Sequence, residues 1–316
     1  MTKTELKQNI TKITQMLQSE NCEAGFELLK TLDEPELNEA LANDIQKTVK
    51  EVYFGDNVDL NEFDEDKKFF ITTGDDLEAH KEGCKVLSTL LPNLTSLDLY
   101  HCCFESLPDG LYLLPKLTNL NLDCCKALWN VDGLAGCANL TSLNLNECYS
   151  LENVNGLANC TNLTRLVLNS CEALQDVDGL FNLSNLAYLD LGFWESLHWL
   201  DGLADCTNLT NLDLYSCSFE SLPDGLKLIT SLTILNLNPS ENLTNLDGLS
   251  NLKNLTSLDA GECYTLRNID AIANLKNLKY LNLEYSDEVK PEPSKKEMTT
   301  REEVAAYQEE IKKAMK

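Results

Sequence analysis

Residues 117–125 read LTNLNLDCC, and the same wording returns eight more times. It opens as LTSLDLYHC at 94, continues as LTSLNLNEC at 140, LTRLVLNSC at 163, LAYLDLGFW at 186 and LTNLDLYSC at 209, and closes as LTILNLNPS at 232, LTSLDAGEC at 255 and LKYLNLEYS at 278. Successive copies start 23 residues apart, with no insertion. In each copy the fourth and sixth positions, such as Leu97 with Leu99 and Leu120 with Leu122, share one side of a short strand because side chains alternate along extended backbone. Those leucines point to a core. One copy cannot bury its apolar side alone, so each depends on its neighbours and the stack behaves as a solenoid.

The pattern resembles the leucine-rich repeat, L-x-x-L-x-L-x-x-N/C-x-L, over residues 94–286. The resemblance implies an α/β solenoid, a horseshoe with a parallel β-sheet on its concave face. The return path, as in CEALQDVDGLFNLSN (171–185), sends Leu174, Val177, Leu180 and Leu183 back to the same interior, with turn chemistry at Asp178 and Gly179. The return segments and the stretch LANCTNLT (157–164) are similar to the internalin and phosphatase-regulator type of repeat, which gives the chain a bacterial flavour. Cysteine replaces the usual asparagine, and the period is one residue longer.

The chain carries 13 cysteines. One column at the ninth position reads Cys102, Cys125, Cys148, Cys171, Trp194, Cys217, Ser240, Cys263 and Ser286, and a second reads Leu114, Cys137, Cys160, Leu183, Cys206, Ile229, Leu252 and Leu275. A disulfide or a metal centre needs a defined set of sulfurs, whereas these columns admit Trp, Ser, Leu and Ile, so cysteine serves here as a small buried apolar residue. Cys103 and Cys124 fall outside both columns and are the thiols expected nearest solvent; no C-x-x-C pair accompanies them. The triplets Asn139-Leu140-Thr141 and Asn162-Leu163-Thr164 match glycosylation sequons but are repeat grammar, since their middle residue is a core leucine.

The flanks differ from the repeats. Residues 1–68 read as a helical N-terminal cap region, with Leu6, Ile10, Ile13 and Met16 at helical spacing. The acidic VDLNEFDEDKK (58–68) lacks the glycine and ligand alternation of a calcium loop. Residues 69–93 read as an atypical first strand–helix unit. Residues 287–299, with two prolines and no periodicity, read as a linker, and 300–316 as a C-terminal helix opened by the capping box Thr300-Arg301-Glu302-Glu303, with Val304, Tyr307, Ile311 and Met315 as its apolar stripe.

The balance of 51 acidic against 25 basic residues gives a formal charge of -26. Such a surface repels phosphate backbones, so nucleic acid is not the expected partner. Nowhere do ~18 apolar residues follow one another, so no membrane association is expected, and the opening residues lack a signal-peptide core; the expected location is cytoplasmic. Only His80, His101 and His198 are available as histidines, and no phosphate loop, nucleophile elbow or zinc-protease motif occurs. No catalytic residue, metal or cofactor is expected.

In leucine-rich-repeat proteins the ligand lies against the strand face, which implies the third, fifth and seventh positions of each nonamer. The candidates there and at the strand ends are Tyr100, Asp123, Arg165, Tyr188, Asp190, Phe193, Asp213, Tyr215, Asp259 and Tyr280. Between 127 and 226 the one basic residue is Arg165. Carboxylates beside tyrosines suit a basic protein or peptide. The expectation is a non-enzymatic interaction scaffold; the alternatives are a regulatory subunit of an enzyme such as a phosphatase and a translocated bacterial effector that binds a host protein.

Overall fold

The computed structural model describes residues 94–316 apart from 103–104, 108–109, 175–176 and 195–199. The expected helical cap over 1–68, the strand–helix unit over 69–93, and Cys103, His80 and His198 lie outside the described residues. Each nonamer contributes one three-residue strand: β1 (Ser96–Asp98), β2 (Asn119–Asn121), β3 (Ser142–Asn144), β4 (Arg165–Val167), β5 (Tyr188–Asp190), β6 (Asn211–Asp213), β7 (Ile234–Asn236), β8 (Ser257–Asp259) and β9 (Tyr280–Asn282). They pair in parallel and in sequence order, each residue opposite its counterpart 23 positions on, as in Leu120 opposite Leu143. The sheet is therefore the sequence period made visible. Strand residues at the fourth position and the sixth-position leucines behind them are fully buried, with the return-path Leu174, Val177, Leu180 and Leu183 packed into the same core.

The return segments are short 3-10 helices rather than α-helices, most of them opening on Asp-Gly, as in Asp178–Leu180 and Asp201–Leu203. Close stacking explains the glycine. A Cβ placed on Gly179 would lie 2.3 Å from the carbonyl oxygen of Val154 in the preceding coil, and one on Gly156 would lie 2.0 Å from that of Val131. The coils approach here backbone to backbone.

The ninth-position column solves a different problem. The sixth-residue carbonyl of the previous coil faces the interior with capacity for a second donor beside a backbone N–H, such as the one Leu99 O accepts from Cys102 at 3.3 Å. Cys125, Cys148 and Cys171 turn their thiols to the carbonyls of Leu99, Leu122 and Leu145 at 3.2, 3.3 and 3.2 Å. The indole N–H of Trp194 donates to Leu168 O at 3.0 Å, and the hydroxyl of Ser286 donates to Ala260 O at 2.8 Å. Cys, Trp194 and Ser286 fit the column because each supplies a donor of suitable reach; Ser240, buried with its hydroxyl unpartnered among the described residues, fits by size alone. Nine of the ten described cysteines are buried, none of the ten is in a disulfide, and burial pushes the thiols of Cys137, Cys206, Cys217 and Cys263 up to about 12.

The eighth position carries a signature not visible in residue identity. His101, Cys124, Glu147, Ser170, Phe193, Ser216, Glu262 and Tyr285 all have positive φ. In the remaining copy that position is Pro239, whose ring fixes φ negative; its peptide bond with Asn238 is cis.

The segment expected as a linker is folded onto the last coil. Val289, Pro293 and Met298 are buried, and β10 (Glu297–Met298) pairs antiparallel with β9. Its prolines mark turns in an ordered cap, not a spacer. Helix α1 (Arg301–Ala314) begins at the expected capping box, with Thr300 accepting from the Glu303 N–H and Glu303 accepting from the Thr300 N–H. Val304, Tyr307 and Ile311 are buried, and Met315 is exposed. Buried Gln308 fastens the helix by donating to Ile272 O and Leu275 O at 2.7 and 3.0 Å. The described part of the chain is thus one open sheet of parallel strands, closed at its C-terminal edge by a reversed strand and a single α-helix.

Candidate functional site

The fifth-position acids and amides of the strand face have a structural task first. In eight of the nine copies the side-chain oxygen of that residue accepts the N–H two residues on: Asp98 from Tyr100, Asn121 from Asp123, Asn144 from Asn146, Asp190 from Gly192, Asp213 from Tyr215, Asn236 from Asn238, Asp259 from Gly261 and Asn282 from Glu284, at 2.9–3.2 Å. Asp and Asn alternate because this turn needs only a carbonyl-like oxygen. The exception is Val167. Cross-strand bonds extend the ladder, from Asn121 to Asp98 at 2.9 Å, Asn144 to Asn121 at 3.0 Å and Asn282 to Asp259 at 3.0 Å.

The ten candidates do not form one site. Tyr100 lies at the first coil, half exposed, and Asp123 accepts from Asn146 at 2.9 Å. At the other end Asp259 is engaged by Gly261 and Asn282, and the Tyr280 hydroxyl donates to Glu297 of the reversed strand at 3.3 Å. Tyr280 therefore belongs to the cap rather than to the open face.

The other candidates converge on β4, β5 and β6. The register sets Arg165 beside Tyr188, and Asp190 beside Asp213. The Arg165 guanidinium lies over the Tyr188 ring, 3.9 Å from its centroid. Farther along the strands, the Tyr215 ring lies against Gly192, so closely that a Cβ there would fall 2.2 Å from Tyr215 Cε1. The Tyr215 hydroxyl accepts a hydrogen bond from Asn169, two coils earlier. Phe193, raised by its positive φ, meets Tyr215 edge-on with centroids 4.8 Å apart. Asp190 and Asp213 thus form the floor of a slot between Tyr188 with Arg165 on one side and Tyr215 with Phe193 on the other.

Half-burial in that slot raises the carboxyl pKa of Asp190, against the pull of the Gly192 N–H, Arg165 and Asn169. Burial also raises that of Asp213, and the neighbouring Asp190 charge adds to the rise. No basic group lies within ion-pair distance of Asp213 among the described residues. Asn169 and Gly192 were absent from the sequence candidates, although a signal was present. The fifth nonamer, LAYLDLGFW, departs from the column habits at Ala187, Tyr188, Gly192, Phe193 and Trp194, and the slot is where it departs.

Cys124 is half buried, with its thiol 3.4 Å from a Glu147 oxygen. Burial, with Asp123 and Glu147 nearby, pushes it up to about 12. That makes it a poor nucleophile at neutral pH. In the two sequons Asn139 and Asn162 donate to Pro115 O and Ala138 O at 2.7 and 2.9 Å, so their amides tie one coil to the next. Among the described residues no helix is long and apolar enough to cross a membrane.

No protein-family model matches the chain, and no curated protein matches it. Solved structures do. An internalin, inlF, of Listeria monocytogenes superposes with a TM-score of 0.51 at 24% identity, covering 63% of this chain and 63% of its own. The internalin C2 of the same organism gives 0.51 at 25% identity over 63% of this chain and 83% of its own. A leucine-rich-repeat protein of Leptospira interrogans gives 0.45 at 22% identity, over 66% and 64%. The alignment with inlF therefore spans less than two thirds of either chain. Strand order, the 23-residue register and the likeness to the two internalins agree: the chain has the leucine-rich-repeat fold and resembles the internalins in it.

Proposed function

We propose that the protein is a non-enzymatic binding scaffold that takes a basic protein or peptide on its strand face. The observation that carries this reading is the slot at β5 and β6, where two adjacent carboxylates, Asp190 and Asp213, lie half buried near aromatic rings, with Arg165, over the Tyr188 ring, as the one cation nearby among the described residues. A cationic partner supplies the missing charge. Tyrosines give contact area at low entropic cost, and the net charge of -26 speeds encounter with a basic partner while opposing nucleic acid. The two edges of the sheet differ in support of this: the strand starts carry a neutral row of Thr118, Thr141 and Thr164, each hydroxyl bonded to the preceding coil, while the strand ends carry Asp123, Glu147, Glu262 and Glu284. Buried thiols outside any disulfide suit a reducing compartment, and the cytoplasm is the location we assign.

The test is fluorescence anisotropy with labelled basic, neutral and acidic peptides across a salt series. Two charge-matched variants locate the surface: Asp190→Asn with Asp213→Asn and Asp259→Asn on the strand face, and Asp132→Asn with Asp247→Asn and Asp270→Asn on the return side. Binding confined to basic peptides, weakened by salt and lost in the first variant alone, supports the reading. Equal loss in both variants, or no preference for basic peptides, overturns it.

A further inference from the structure

We infer that the slot between β5 and β6 takes one arginine side chain of the partner at Asp213, and that Arg165 is a resident copy of that ligand occupying the neighbouring half. The inference rests on the strand-face reading above and names the group recognised there.

Three observations point to a guanidinium. The Arg165 guanidinium already lies over Tyr188, 3.9 Å from its centroid, and its charge helps hold Asp190 ionised. The face thus displays, within the chain, the contact it offers a ligand. Second, the slot is short of positive charge: neither Asp190 nor Asp213, next to it across the β5–β6 pair, has a cation within ion-pair distance among the described residues, and the charge of Arg165 acts at longer range on Asp190 but is not among those acting on Asp213. Third, the Tyr215 ring, fixed by Asn169 at its hydroxyl and by the edge of Phe193, leans over Gly192 to the Asp190 side, while the Tyr215 N–H is bonded to Asp213. A planar, weakly hydrated guanidinium can stack on such a ring and meet a carboxylate with paired N–H groups; a compact ammonium can only do the second.

Asp213 can be neutralised without disturbing the backbone. Its oxygen accepts the Tyr215 N–H at 3.1 Å, and Asn236 does the same for Asn238 at 3.1 Å in the next coil. Asparagine is thus the repeat's own alternative at this position, and Asp213→Asn removes charge while keeping the acceptor. Asp259→Asn is the matched control, in the same column but outside the slot.

The probes are labelled hexa-arginine and hexa-lysine, titrated by anisotropy against the full chain, with melting curves to confirm folding. Hexa-arginine should bind more tightly than hexa-lysine. Asp213→Asn should weaken hexa-arginine by roughly tenfold, the scale of one lost charge-assisted contact, and Asp259→Asn by no more than about twofold. Arg165→Ala should tighten it severalfold by vacating Tyr188 and Asp190. Equal losses at Asp213 and Asp259, equal affinity for the two peptides, or weaker binding by Arg165→Ala overturn the slot, while the strand-face reading stands if its triple variant still loses binding. Failure of both peptides to bind at low salt overturns the strand-face reading and the slot together.

Discussion

The Asn169 amide donates a hydrogen bond to the Tyr215 hydroxyl across two coils of the solenoid, over the bare backbone of Gly192. Three residues from three successive repeats therefore act as one unit. The glycine leaves the gap, the tyrosine fills it, and the asparagine holds the ring in place above the Asp190 side.

Gly192→Ala should separate these roles. Its Cβ would meet the far end of a side chain rather than backbone, so Tyr215 swings aside and the fold survives. The melting temperature should change little. The Asp190 carboxyl, raised by burial, should move down toward the ordinary carboxylate range as water enters, which carboxyl-detected NMR titration reads directly.

Asp213→Asn should stabilise the protein at neutral pH. Burial raises the folded-state pKa of Asp213 above its unfolded value, so between the two values the folded chain binds more protons than the unfolded one and stability falls as pH rises. Removing the charge removes that penalty. The melting temperature of the variant should exceed that of the parent at pH 7, and the difference should vanish below the unfolded carboxyl value of 3.8.

The thiols predict the opposite end of the pH scale. Burial raises the thiols of Cys137, Cys206, Cys217 and Cys263 from 9.0 to about 12, so above pH 9 the unfolded chain loses protons that the folded chain keeps. Stability should fall there by about 1.4 kcal/mol per pH unit for each such thiol. Urea titrations at pH 8, 9 and 10 test this. In a variant with Cys22, Cys84 and Cys103 changed to serine, the remaining thiols should react slowly with a disulfide reagent at pH 8 until the chain is unfolded.

Gly179→Ala should cost about 1–3 kcal/mol, since its Cβ would lie 2.3 Å from a backbone oxygen that cannot turn away. Gly248→Ala should be nearly neutral, because its nearest neighbour is the Leu222 side chain at 3.3 Å and the next coil already carries Ala271 at the equivalent place. Denaturant melts of the two variants side by side decide it.

Gln308→Ala should cost about 1–3 kcal/mol for the two hydrogen bonds lost to the carbonyls of Ile272 and Leu275, each of which keeps one backbone N–H. Hydrogen exchange should quicken first in α1 and in the last coil, with the central strands unaffected.

Much of this architecture was legible because a period of 23 fixes every strand, every core leucine and every column in one step. The capping box at Thr300 was equally plain, since two residues at set spacing carry the whole signal. The folded segment 287–299 was not. Its contacts are made with β9 and α1 across the turn of the chain, and isolated prolines look alike in a spacer and in an ordered cap. The slot was half visible: alternation puts Tyr188, Asp190, Asp213 and Tyr215 on one face, but the ring of Tyr215 leaning over Gly192 toward Asn169 is a matter of side-chain direction between coils. The fifth-position acids also looked free for a partner, because the N–H two residues on is not written in any side chain.

Strand β10 runs against the direction of the nine before it, and Lys296 O accepts the N–H of Leu283 where a further parallel coil would have to pair. That reversed strand thereby closes this edge to accretion. Whole coils can be duplicated or lost from the interior of the array, where both neighbours present the same register, and the length of the strand face becomes a quantity evolution can adjust without rebuilding this stop.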